Sequence, residues 1–194
     1  ELDITVERYF ERQKLESKLA EYIDLRQEMM THMKVRTFLC LDVVGSTRMK
    51  ERQDPFLVQF SFKQYHGYVQ GIVAAHQGII HGTAGDGIMC CFEAAQDAVR
   101  AGIVLYERLP VFNRETNKLD TAFQIRSGVH TGAVIIGEDG RVSGMFASTL
   151  DITGHLQKFA EAGQLEISQD TYNAVSNRED FVPTDKEVDG VPVF

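Results

Sequence analysis

Positive charge is in short supply in this chain. Its 194 residues carry 20 Lys and Arg against 28 Asp and Glu, a net charge of −8 with a pI near 5.2. Nucleic-acid binders need clustered positive charge to neutralise phosphates, so that class is set aside. An acidic protein can still handle nucleotides where metal ions bring the local positive charge. Long apolar runs are missing as well: nothing approaches the ~18–20 apolar residues of a membrane span, and no signal peptide is visible. Cysteine is scarce, and Cys40, Cys90 and Cys91 lie in apolar strand-like runs without metal-ligand spacing. They read as small buried hydrophobes in a reducing compartment. The chain begins at Glu1 without a methionine. That start reads as a cytoplasmic piece of a longer protein whose upstream part holds a sensor or a membrane anchor.

Glycine and proline are both absent between Thr5 and Met33. There Leu15, Leu19, Tyr22, Met29 and Met33 follow alternating spacings of four and three, interrupted by Arg26, which predicts a helix. Such a seam suits a parallel coiled coil or a helix packed on its own domain. The expected organisation is a signalling helix over 1–34 and one globular domain over 35–194. With 43% hydrophobic residues, the chain can bury one sizeable core.

Within the globular part the pattern predicts a strand over Arg36–Leu41, a short helix over Ser46–Glu51 and a long helix over Pro55–His76. Asp54 is its expected N-cap, and Gly78 its expected stop. A hairpin over Ile79–Thr83 and Ile88–Phe92 follows, with AGDG at its tip. A helix over Ala94–Leu109 and a strand over Ala122–Val129 complete a β-α-β-β-α-β order, the ferredoxin-like pattern of an α/β (α+β) domain, with further strands and helices after it. Two aspartates stand out: Asp42 in TFLCLDVVGSTRMK and Asp86 in GIIHGTAGDGIMCCF. Each ends a strand-like run beside glycines, where a ligand can approach the backbone. Adjacent placement of these elements in that topology brings the carboxylates together. Mg²⁺ and Mn²⁺ prefer hard oxygen ligands, and one or two carboxylates plus substrate phosphates are a common way to hold Mg²⁺.

These segments, with IRSGVHTGAVIIG, HLQKFAEAGQLEIS and VDGVPVF in the same order, resemble the catalytic domain of class III nucleotide cyclases, the adenylate and guanylate cyclase family. The resemblance implies conversion of a nucleoside triphosphate to a 3′,5′-cyclic nucleotide and pyrophosphate, assisted by two divalent ions, Mg²⁺ or Mn²⁺. It implies Asp42 and Asp86 as metal ligands, the Val43 carbonyl as a further one, and the amides of Gly45, Ser46 and Thr47 as a cradle for the leaving phosphates. A helix cap is the other reading of Ser46 and Thr47. The family also implies a head-to-tail homodimer with a composite site, and coupling of the N-terminal helix to an upstream sensor.

The chain departs from the family pattern at several positions. Gly82 stands where adenine-type members carry a purine-contacting lysine, with His81 beside it as a partial replacement. The base-selecting position falls near Gly144. Asp151 stands at the transition-state asparagine, and His155 at the transition-state arginine. A histidine is only partly charged near neutral pH and cannot make a bidentate phosphate contact. Arg126, Arg141 and Lys158 are the other cations considered for that charge, with Arg126 expected to face solvent on its strand. His130 is expected to cap a G-x-H-x-G turn through a backbone hydrogen bond. Three functions stay open: an active cyclase with altered base preference, a nucleotide-binding pseudo-enzyme, and a structural dimerisation module.

Overall fold

The computed structural model describes residues 2–137, 142 and 148–194, with side chains from residue 11 onward. The chain divides into two compact units, one of 1–34 with 134–146 and one of 35–133 with 147–194. In the first, helix α1 (Leu2–Thr31) leaves Leu15, Leu19, Tyr22, Leu25 and Met30 exposed. Ile136 donates its amide to the His32 carbonyl and bridges Val142.

The second unit holds a five-stranded mixed sheet in the order β2-β3-β1-β4-β5. Its strands are β1 (Met33–Val43), β2 (Ile79–Ala84), β3 (Gly87–Phe92), β4 (Ile125–Ile135) and β5 (Leu165–Ile167). The first four strands with α3 (Pro55–Ala75) and α4 (Ala95–Glu115) form the β-α-β-β-α-β core. A short α2 (Ser46–Lys50) follows β1, while α5 (Ser148–Phe159), α6 (Gln169–Ala174) and a hairpin of β6 (Glu187–Val188) and β7 (Val191–Pro192) complete the domain. Among the described residues, no helix is long and apolar enough to cross a membrane.

Strand alternation places the core. Leu39, Leu41 and Val43 of β1 join Ile125 and Val129 of β4 and the apolar faces of α3 and α4 in one buried cluster. An aromatic group centres it, with Tyr65 stacked on Phe123 at 5.2 Å. Asp54 caps α3 as expected, accepting from the amides of Phe56 and Leu57, with Pro55 at the first helical position.

The element ends differ from expectation for specific reasons. Gln77, not Gly78, takes the left-handed conformation after α3 (φ 61°). Gly78 lacks a side chain because a Cβ there would stand 2.2 Å from the Phe92 ring. Helix α4 runs past Leu109 through Pro110 to Glu115; Pro110 is exposed, so water can take the carbonyl it frees. The G-x-H-x-G segment is no turn but the interior of β4, and His130 is buried there with Nδ1 2.8 Å from Ser168 Oγ, a side-chain rather than a backbone partner. Its glycines admit α5: a Cβ on Gly128 would meet the Gln157 amide nitrogen at 2.4 Å, and one on Gly132 would meet Thr149 Oγ1 at 2.5 Å. The expected closing strand is the β6–β7 hairpin, turned by Asp189 and Gly190, both at positive φ.

Candidate functional site

Antiparallel pairing of β1 with β3 ends at Leu41 opposite Ile88, and Asp42 is the next residue on β1. Across the β2–β3 hairpin Ala84 pairs with Gly87, leaving the two-residue turn Gly85–Asp86, with Gly85 at φ 65°. Asp42 and Asp86 thus leave the same end of two hydrogen-bonded neighbouring strands. Because Leu41 and Val43 point into the core, Asp42 projects from the opposite face of the sheet.

Each carboxylate already has a cation. Arg126 Nη2 and Nε donate to Asp42 Oδ2 at 2.9 and 3.2 Å, and Arg126 Nη1 donates to the Lys158 carbonyl at 2.8 Å. Arg126 is therefore not solvent-facing as expected: Ile125 and Val129 turn inward, so Arg126 shares the Asp42 face. Lys158 contributes its carbonyl, not its ammonium. At Asp86, Ser46 Oγ donates to Oδ1 at 2.7 Å and Lys50 Nζ donates to the same oxygen at 3.1 Å. Asp86 Oδ2 is buried and, among the described residues, has no hydrogen-bond partner. Burial alone would raise the Asp86 carboxyl, but the Ser46 and Lys50 hydrogen bonds and the Lys50 charge outweigh it and hold it below the ordinary carboxylate range.

An ionised, buried carboxylate oxygen without a partner is costly unless something cationic completes it. The hard oxygens of Asp42 and Asp86 therefore fit Mg²⁺ or Mn²⁺ by chemistry and placement. Among the described residues, no group of three or more His, Cys, Asp or Glu forms a metal cage. A divalent ion here would need substrate oxygens to fill its coordination.

The remaining expected residues scatter. Val43 is buried in the core with its side chain, and Gly45 (φ 68°) is the N-cap of α2. The Ser46 hydroxyl is spent on Asp86 rather than on a helix cap, and Thr47 is exposed. His81 is exposed at a register shift of β2, its ring edge-on to Phe38 at 5.7 Å, and Gly82 beside it has open space where a Cβ would stand. Asp151 is exposed on α5. His155, on the same helix, has Nδ1 2.6 Å from Asp189 Oδ2 in the β6–β7 turn. Gly144 and Arg141 lie outside the described residues. Sequence reasoning missed Lys50, and it misplaced Arg126. The register of β1 against the inward residues of β4 could have placed Arg126 correctly; the four-residue step from Ser46 to Lys50 on a helix could have found Lys50.

The profile of the adenylate and guanylate cyclase catalytic domain matches residues 28–191. The chain belongs to this family. Adenylate cyclase 1 of Rhizobium meliloti (strain 1021) is 29% identical over 112 residues, which cover 54% of this chain and 17% of that protein. The matched segments span only 11% to 24% of the curated relatives. Among solved structures, the adenylyl cyclase CyaB from P. aeruginosa superposes with a TM-score of 0.71 at 22% identity, covering 83% of this chain and 92% of that one. The guanylate cyclase domain of RhGC from Catenaria anguillulae, solved in complex with GTP, superposes with a TM-score of 0.69 at 19% identity, covering 82% and 93%. The cyclase domain thus shares its mixed α+β fold with domains of either base preference.

Proposed function

We propose that this cyclase domain converts a nucleoside triphosphate to its 3′,5′-cyclic monophosphate and pyrophosphate, slowly and without strong adenine selectivity. The observation that carries the reading is Asp86, ionised, with a buried unpartnered Oδ2, leaving the same sheet end as Asp42. In the reaction the ribose 3′-oxygen attacks the α-phosphorus, the bond to the β-phosphate oxygen breaks, and pyrophosphate leaves. Two divalent ions, Mg²⁺ or Mn²⁺, would lower the cost of charge on the attacking and leaving oxygens. Asp42, Asp86 and the Val43 carbonyl would hold them, and the amides of Gly45, Ser46 and Thr47 would take the leaving phosphates. Gly82 offers no side chain to a purine edge, and His81 beside it offers one imidazole.

The arrangement works best as a head-to-tail homodimer in which α5 of a second copy faces the carboxylates, bringing Asp151 and His155 to the triphosphate. The apolar row on α1 supports a coiled coil that couples such a dimer to an upstream sensor in a cytoplasmic part of a longer protein. A second reading, a nucleotide-binding pseudo-cyclase acting as a regulatory module, draws on His155: its ring is tied to Asp189, and a missing guanidinium at the reacting phosphate is worth about 10³–10⁵ in rate.

Thermal unfolding with Mn²⁺ or Mg²⁺ and each ribonucleoside triphosphate tests the binding common to both readings. Ligand at ~100 Kd adds about 2.7 kcal/mol to the native state, and the Asp42→Ala and Asp86→Ala proteins should fold yet lose the shift. No shift with any pair of metal and nucleotide would return the domain to a purely structural role.

A further inference from the structure

Lys50 is held by two partners, a carboxylate and an aromatic ring. Its ammonium donates to Asp86 Oδ1 at 3.1 Å and sits 4.3 Å from the centre of the Phe62 ring. Phe62 in turn packs on Phe123 of the core at 5.0 Å. Carboxylate and aromatic face together fix the charge. The side chain remains 38% exposed, and an ammonium has three donors, so N–H groups are left for a ligand arriving from the open side. Asp86 is meanwhile held by one oxygen only, through Ser46 and Lys50, which leaves Oδ2 as its ligating atom.

The charges balance before anything binds: Arg126 pairs with Asp42, and Lys50 with Asp86. A bare divalent ion entering here adds positive charge beside a fixed ammonium. A triphosphate carries about four negative charges, which two divalent ions offset, so the complex of metal and triphosphate matches a neutral site where metal alone does not. Resting on the proposed metal–triphosphate reading, we propose that Lys50 couples the two ligands: it weakens capture of free metal at Asp86 and donates to the phosphate chain once metal and triphosphate arrive together. The domain thereby takes its metal as the nucleotide complex.

The test separates two affinities in the intact chain. Calorimetry measures Mn²⁺ alone, then a 3′-deoxynucleoside triphosphate in saturating Mn²⁺, which binds but has no hydroxyl to react. Lys50→Met should bind free Mn²⁺ several-fold more tightly and the triphosphate about tenfold more weakly, the loss of one charge-assisted contact. Lys50→Arg, which keeps the charge, should stay near the parent on both. Opposite movement of the two affinities is an outcome that a merely structural lysine would not produce. Unchanged triphosphate affinity in Lys50→Met, with binding abolished in Asp86→Ala, would overturn the Lys50 role and leave the metal–triphosphate reading standing. Tighter binding of both ligands would also overturn it, making Lys50 a simple competitor of the metal. A parent that binds no triphosphate in Mn²⁺ would overturn the reading itself.

Discussion

The carboxylate end of β1 and β3 and the outer face of α5 hold the two halves of the proposed chemistry, and this chain finishes them to different degrees. At the first, Asp42 and Asp86 are partly buried, each bound to a cation, and Asp86 is further fixed by Ser46. At the second, Asp151 is exposed and His155 leans on the exposed turn residue Asp189. A group held by several partners is preorganised for its ligand, whereas a half-exposed pair gains little from its single contact. The difference teaches that the chain organises its carboxylate end by itself. The α5 side, in the proposed arrangement, acquires its role only against a second copy.

The largest effect that would break this comparison comes from the carboxylates. Asp42→Asn and Asp86→Asn should each lower turnover by about 10²-fold or more, since on the proposed reading each removes charge that balances the metal. Steady-state rates with Mn²⁺ measure it; equal losses on substituting Asp151 would erase the contrast between the two ends.

A second contrast concerns glycines around the same sheet. Gly128→Ala drives a Cβ into the backbone of α5, with Gln157 N at 2.4 Å and the Leu156 carbonyl carbon at 2.8 Å. It should cost about 2–3 kcal/mol and lower Tm by about 5–10 °C. Gly82→Lys enters open space at an ordinary backbone angle, should change stability by no more than about 0.5 kcal/mol, and should tilt substrate use toward ATP. Calorimetric melting and competition between ATP and GTP read the two.

A third contrast is in pH. Burial pushes the His130 ring below the ordinary histidine value of 6.5, partly countered by the Asp170 charge, so the ring is neutral in the fold. The unfolded chain takes up that proton as pH falls through about 6.5. The native state resists until its own lower value is passed. In that window stability should fall with pH by up to ~1.4 kcal/mol per unit. His130→Gln should remove this part of the slope in denaturant titrations between pH 7 and 5.

Much of this was legible in the residues. The period-2 runs, Asp54–Pro55 and AGDG locate strands, helix start and hairpin because local chemistry determines them, and Asp42 and Asp86 follow from the strand ends. What the chain order hides is the set of close approaches. Gly78 looks like a helix stop but is small for Phe92, and Gly128 and Gly132 look like a turn but make room for α5. Pro110 looks like a terminator, yet it is tolerated on an exposed face of α4. The partners of the carboxylates were hidden for the same reason. Arg126 lies 84 positions from Asp42 and is brought to it across the sheet, and Lys50 lies 36 from Asp86 and reaches it from α2, so chain order shows neither pair directly.

Turnover tests the central claim most directly. Chromatography of cyclic product and pyrophosphate from ATP, GTP, CTP and UTP, with Mn²⁺ and with Mg²⁺, should show slow product that favours Mn²⁺ in the parent. The double variant Asp151→Asn with His155→Arg should raise the rate at least tenfold, about 1.4 kcal/mol of transition-state stabilisation. Rapid cyclisation of ATP with Mg²⁺ by the parent would contradict the account, and so would a complete lack of product from both proteins with metal and nucleotide bound.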